Sequence, residues 1–321
     1  MTSSTGRAVP EQAPAADTWP ALKVDDWAPT RDTLHMWTQI VGKIRMAHQP
    51  LVNHWWQAPL YVTARGLTTS TITRGTGAFD IEFDFHDHQL VIRTTGGSTG
   101  KVALEPKSVA DFYTETMDTL AALGVHTRIR ARPNEVEPAI PFARDTQHRS
   151  YDAEPAELFW RQLIQAHRVL HKFRSYFIGK VSPVHFFWGA LDLACTRFSG
   201  RPAPPHPGGV PNCADWVMVE AYSHELSSCG FWPGGGAEGA FYAYAYPEPE
   251  GFADYPVGPT GAYYSREKGE YLLPYETVRT AHDPDAALLT FLHSTYEAVA
   301  ERGDWDRAAL EADPARWDHF R

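Results

Sequence analysis

The residues of this chain best suited to chemistry crowd into residues 183–232, PVHFFWGALDLACTRFSGRPAPPHPGGVPNCADWVMVEAYSHELSSCGFW. This stretch carries His185, His206, His224 and Glu225. Three neutral imidazoles and a carboxylate would suit zinc, iron or copper. Their spacings are long and match no HExxH or His-x-His signature. On a strand, His224 and Glu225 would face opposite sides, so the alternative is a hydrogen-bonded network in which His206 braces the Pro/Gly loop. The same residues suggest general acid–base work, by Glu225 with His224 or His185. A half-buried Glu225 flanked by Tyr222 and Trp232 would keep its proton to higher pH, as proton transfer near neutrality requires. Glu82 is a candidate partner, with a solvated sheet face as its alternative. Neither chemistry identifies a cofactor.

Arg65 and Arg197 each end an apolar run, where a guanidinium can grip a carboxylate or phosphate in a bidentate fork. The competing reading is an ion pair with Asp192, Asp84 or another nearby acid. Tyr242, Tyr244 and Tyr246 share one face of a predicted strand. With Trp55, Trp56, Trp188 and Trp232 they could wall a pocket for a planar or sugar ligand, or simply pack a core. Several motifs fail on context. GGGAEG at 234–239 matches a dinucleotide fingerprint, but a strand and not a helix should follow it. The chain has no GxSxG and no P-loop. Cys229 reads as packing, and His86 and His88 as part of a turn.

Composition bounds the partners. The 321 residues carry a formal net charge of -10, which disfavours nucleic acid and anionic lipid. No apolar run approaches the roughly 20 residues of a membrane helix. Three cysteines without a CxxC pair fit a reducing compartment, and a cytoplasmic protein acting on a small-molecule ligand is the expectation. Residues 1–18, rich in Ala, Pro, Ser and Thr and lacking a signal-peptide core, should be a disordered tail.

The elements that would position these side chains follow from periodicity. Leu34, Trp37, Ile40, Val41 and Ile44 predict a helix over about 31–47, capped by Thr30 or Asp32. Phe79, Ile81, Phe83 and Phe85 alternate with Asp80, Glu82 and Asp84, the mark of a half-buried strand. Strands at 89–94, 101–104 and 125–131 surround a helix at 108–123. A helix over about 154–177, strands at 241–246 and 262–273, and a helix over about 284–302 fill the second half. A charged tail follows, with Trp305 and Trp317 as anchors.

The halves look alike. Trp56 lies nine residues before Arg65, as Trp188 does before Arg197, and Phe112 lies twelve before Gly124, as Phe291 does before Gly303. The expected fold is therefore α+β, two repeat-related lobes at 19–150 and 151–303, each an antiparallel sheet packed by helices. A pseudo-twofold arrangement would bring Trp56, Arg65, Trp188 and Arg197 to one cleft. LHMWTQIVGKIR at 34–45, NHWWQAPLYVTARGLTTS at 53–70, FDIEFDFHDH at 79–88, SVADFY at 108–113 and EAYSHELSSCGFWPGG at 220–235 carry a resemblance. So do residues 182–212, FYAYAYPEPEGF at 241–252 and LLPYETVR at 272–279. Here the chain resembles the bacterial proteins grouped as domain of unknown function family 5996. The resemblance implies a cytosolic protein and supplies no activity or catalytic residue.

Overall fold

The computed structural model describes residues 18–313 and residue 315. The tail expected over 1–18 and the anchor Trp317 therefore lie outside the described residues, apart from Thr18. Helix α1 (Val24–His48) begins earlier than its apolar period predicts. Asp25 and Asp26 in its first turn favour a helix N-terminus. Pro29 is carried inside the helix, and Thr33 Oγ1 donates to the Pro29 carbonyl at 3.0 Å.

The first sheet follows: β1 (Tyr61–Val62), β2 (Gly66–Thr68), β3 (Ile72–Arg74), β4 (Gly77–Asp84), β5 (Gln89–Thr94) and β6 (Thr99–Ala103). Its order is β1-β2-β4-β5-β6, all antiparallel, with β3 also on β4. Phe79, Ile81 and Phe83 enter the core, as their alternation requires. The acidic face of β4 is sealed by arginines: Arg93 bonds Asp80 at 2.9 Å and Glu82 at 2.7 Å. Helix α2 (Val109–Ala122) is capped by Ser108, whose Oγ accepts from the Asp111 amide. The strand expected over 125–131 does not form; that segment pairs with no strand.

Helix α3 (Ala153–Ser175) opens the second half. Then come β7 (His185–Phe187), β8 (Asp192–Pro202), helix α4 (Asp215–Ala221), β9 (His224–Trp232), β10 (Ala240–Tyr246), β11 (Tyr263–Ser265) and β12 (Glu270–Pro274). The order is β11-β12-β10-β9-β8-β7, again wholly antiparallel. Helices α5 (Tyr275–Arg279), α6 (Pro284–Arg302) and α7 (Arg307–Leu310) finish the described chain. The fold is α+β with two antiparallel sheets. Among the described residues, no helix is long and apolar enough to cross a membrane.

The sheets meet edge to edge just before β1. Leu60 and Phe186 exchange backbone hydrogen bonds, each of 2.9 Å, as an antiparallel pair does. One buried cluster runs from Trp19 to Trp305 through both sheets and helices α1, α2, α3 and α6. Trp188 joins the halves. Its Nε1 donates to the Ala58 carbonyl at 2.8 Å, and its indole crosses α1 where a Cβ on Gly42 would lie 2.0 Å away.

Candidate functional site

Alternation along the second sheet decides which side chains share a space. On β8 Asp192, Ala194, Thr196 and Phe198 face one way, and Leu193, Cys195 and Arg197 face α3 and α6. On β9 Leu226, Ser228 and Trp232 take the first side, as do Tyr242 and Tyr244 on β10. These residues floor a cavity of about 500 Å³, within the range of small-molecule sites. The turn at 53–55 and Trp56, the segment at Asn134 and Glu135, and Trp188 and Gly189 form the facing wall. Helix α4 lies over it, held by Trp55 Nε1 to the Val217 carbonyl at 2.9 Å and the His54 amide to Glu220 at 3.0 Å. No residue of α4 is buried, and Trp216 is 64% exposed beside Trp55.

At the floor, Tyr242 Oη donates to Asp192 Oδ2. A Cβ on Gly230 would stand 2.6 Å from that hydroxyl, so glycine leaves the phenol room to lie there. Asp192 is 9% exposed, and burial pushes its carboxyl up to about 7. The Tyr242 bond opposes the rise; the charges of Glu135 and Glu270 add to it. Glu135 and Glu270 are themselves raised by burial, against Lys43 and Lys268 respectively. Glu135 sits where a Cβ on Gly189 would meet its Oε1 at 2.0 Å, and the residue keeps an exposed surface at the cavity. Burial brings Lys43 down to about 8; its Nζ donates to Asn134 Oδ1. Tyr222 and Tyr244 share a hydroxyl–hydroxyl bond of 3.0 Å.

The predicted site residues divide. Trp56, Trp188, Trp232 and Tyr244 line the cavity together. Glu225, on the opposite face of β9, accepts from Arg201 Nε at 2.7 Å and Ser199 Oγ at 2.8 Å. His224 bonds Ser223 Oγ at 3.1 Å and meets the His54 ring edge-on. His185 is buried among Trp56, Tyr61 and Phe187 with neither ring nitrogen bonded, and burial drives it down to about 3. His206 Nδ1 accepts from the Gly208 amide at 3.0 Å and its ring lies on Tyr222, bracing the Pro/Gly loop. Among the described residues, no group of three or more His, Cys, Asp or Glu is placed to hold a metal ion. Arg65 pairs with Asp84 at 2.5 Å and Asp87 at 2.9 Å. Arg197 is buried between Phe173, 3.5 Å from the ring centroid, and Tyr296, at 4.4 Å, and burial pulls it down to about 10. The shared anion site expected of these two arginines is absent from the cavity, because neither lines it.

The profile of a family of unknown function, DUF5996, matches residues 19–312. The chain belongs to that family. No curated protein and no solved structure matches it. In this DUF5996 chain the charged residues of the cavity are ones the sequence did not single out for the site: Asp192, Glu135, Glu270 and Lys268. Asp192 stood only as a partner for an arginine. Its parity on β8 with Thr196 and Phe198 was a usable signal; Glu135, in an irregular crossing, had none. His54 was also missed. Its Nδ1 faces the Ala221 carbonyl at 3.1 Å and its Nε2 faces Lys180 Nζ at 2.7 Å, which makes Nδ1 the donor and Nε2 the acceptor.

Proposed function

We propose that this DUF5996 chain is an enzyme that performs acid–base chemistry on a small organic molecule held in the aromatic cavity. The observation that carries the proposal is Asp192, a buried carboxyl at the cavity floor bonded by Tyr242, which burial pushes up to about 7. A group with that pKa is present at neutral pH in both forms, the condition for passing a proton in either direction. Tyr242 orients the carboxyl and leaves its second oxygen for the substrate. Trp56, Trp188 and Trp232 hold the apolar body and keep water low. Proton chemistry is thereby assigned to Asp192 and withdrawn from Glu225, His224 and His185, none of which lines the cavity. Cys195 and Cys229, register partners on β8 and β9 and both free thiols, support a reducing compartment and with it the cytoplasm.

The test is a metabolite screen by thermal shift on the whole chain, followed by NMR of each stabilising compound for turnover. The proposal expects at least one to be converted, with Asp192→Asn binding it but slower by about 100-fold or more. Compounds that bind and are never altered would make the chain a non-catalytic binding protein instead.

A further inference from the structure

We propose that the cavity takes an organic cation: a protonated amine on a flat, apolar body. The inference rests on the cavity being the working site and adds the charge of what enters it. Its lining holds three carboxyl groups, Asp192, Glu135 and Glu270, against one ammonium, Lys268. No arginine is among the described lining residues. An anionic ligand would meet Glu135, Glu270 and the charged fraction of Asp192, and find no guanidinium to grip it. A neutral one would leave the repulsion among those carboxyls unrelieved. An ammonium offers N–H donors to them and relieves their repulsion.

The walls point the same way by independent means. Tryptophan faces attract cations, and this protein already uses three of them so. Lys43 Nζ stands 5.3 Å from the ring centroid of Trp188, Lys180 Nζ 5.3 Å from Trp56, and Lys268 Nζ 5.0 Å from Trp232. All three tryptophans line the cavity. Two of the lysines are engaged elsewhere as well: Lys43 with Asn134, Lys180 with His54. A small ligand cation would thus find carboxylates and indole rings around the same cavity, and would compete with these lysines for the ring faces. Binding it also lowers the proton affinity of the carboxyls it faces, so protons are released as it enters.

Three probes with one body and different charges test this on the full chain at pH 7: 2-phenylethylamine, 2-phenylethanol and phenylacetate, by calorimetry in two buffers of different ionisation enthalpy. The amine is expected to bind about 10-fold or more tighter than the other two, with proton release. Glu270→Gln, at a half-buried strand end, is expected to weaken the amine several-fold and leave the alcohol unchanged. Equal binding of amine and alcohol, or tighter binding of phenylacetate, overturns the cation inference while the cavity stands as a site. If none of the three shifts the indole signals of Trp188 and Trp232, the reading of the cavity as a ligand site falls, and this inference with it.

Discussion

A one-residue step along β8 or β9 carries a side chain from the cavity to the opposite face of the sheet. Asp192 and Arg197 differ by an odd number, as do Leu226 and Glu225, and each pair is parted accordingly. The cost of Asp192's position gives a pH signature. Burial pushes its carboxyl up to about 7 when folded, against the ordinary aspartate value of about 3.8 when unfolded. The folded state therefore holds the extra proton between those values. Asp192's contribution is fully present below about pH 4 and is lost as pH rises through 7. At about 1.4 kcal/mol per pH unit, its ceiling is about 4 kcal/mol. Urea denaturation from pH 4 to 8 should show wild type losing stability that Asp192→Asn does not. Glu225→Gln should behave differently. It weakens a part-exposed pair with Arg201, costing about 1 kcal/mol or less, and leaves binding in the cavity unchanged in the same calorimetric titrations. The aromatic lining was legible in the sequence because Trp56 and Trp188 lie near strands, and Trp232 and Tyr244 within strands, whose period is clear. The acids were not, since nothing local distinguishes Glu135 or Glu270 from a solvated glutamate.

Elements with a strong period were read nearly to their ends: α2, α3 and α6 each fall within a few residues of expectation. The failures are elements whose formation depends on distant partners. The 125–131 segment alternates like a strand yet has no ladder to join. Helix α4 buries none of its residues, so no apolar period could announce it; it is tied down by the turn at His54 and Trp55. Close approach between elements was also invisible. Trp188, pinned to the Ala58 carbonyl, crosses α1 at Gly42 and cannot swing aside. Gly42→Ala, favourable by helix propensity alone by about 1 kcal/mol, should instead destabilise by about 1–3 kcal/mol through overpacking. Chemical denaturation checks the sign, and a stabilised variant would mean the contact is loose.

The two sheets, joined at Leu60 and Phe186 and sharing one buried cluster, should unfold as one body. Calorimetry should give one transition with equal calorimetric and van't Hoff enthalpies. Two resolved transitions would mean that the halves fold separately. The cavity lies beside that junction, with Trp56 from one half and Trp188 from the other in its wall, so its geometry depends on the union of both. The chemistry assigned to it rests on one proton. The most direct test is a ¹³C NMR titration of the aspartate and glutamate carboxyls in wild type and Asp192→Asn. One carboxyl with a midpoint near 7, missing from the variant, is the predicted result. Asp192 titrating below about 5, within the ordinary carboxylate range, would contradict it.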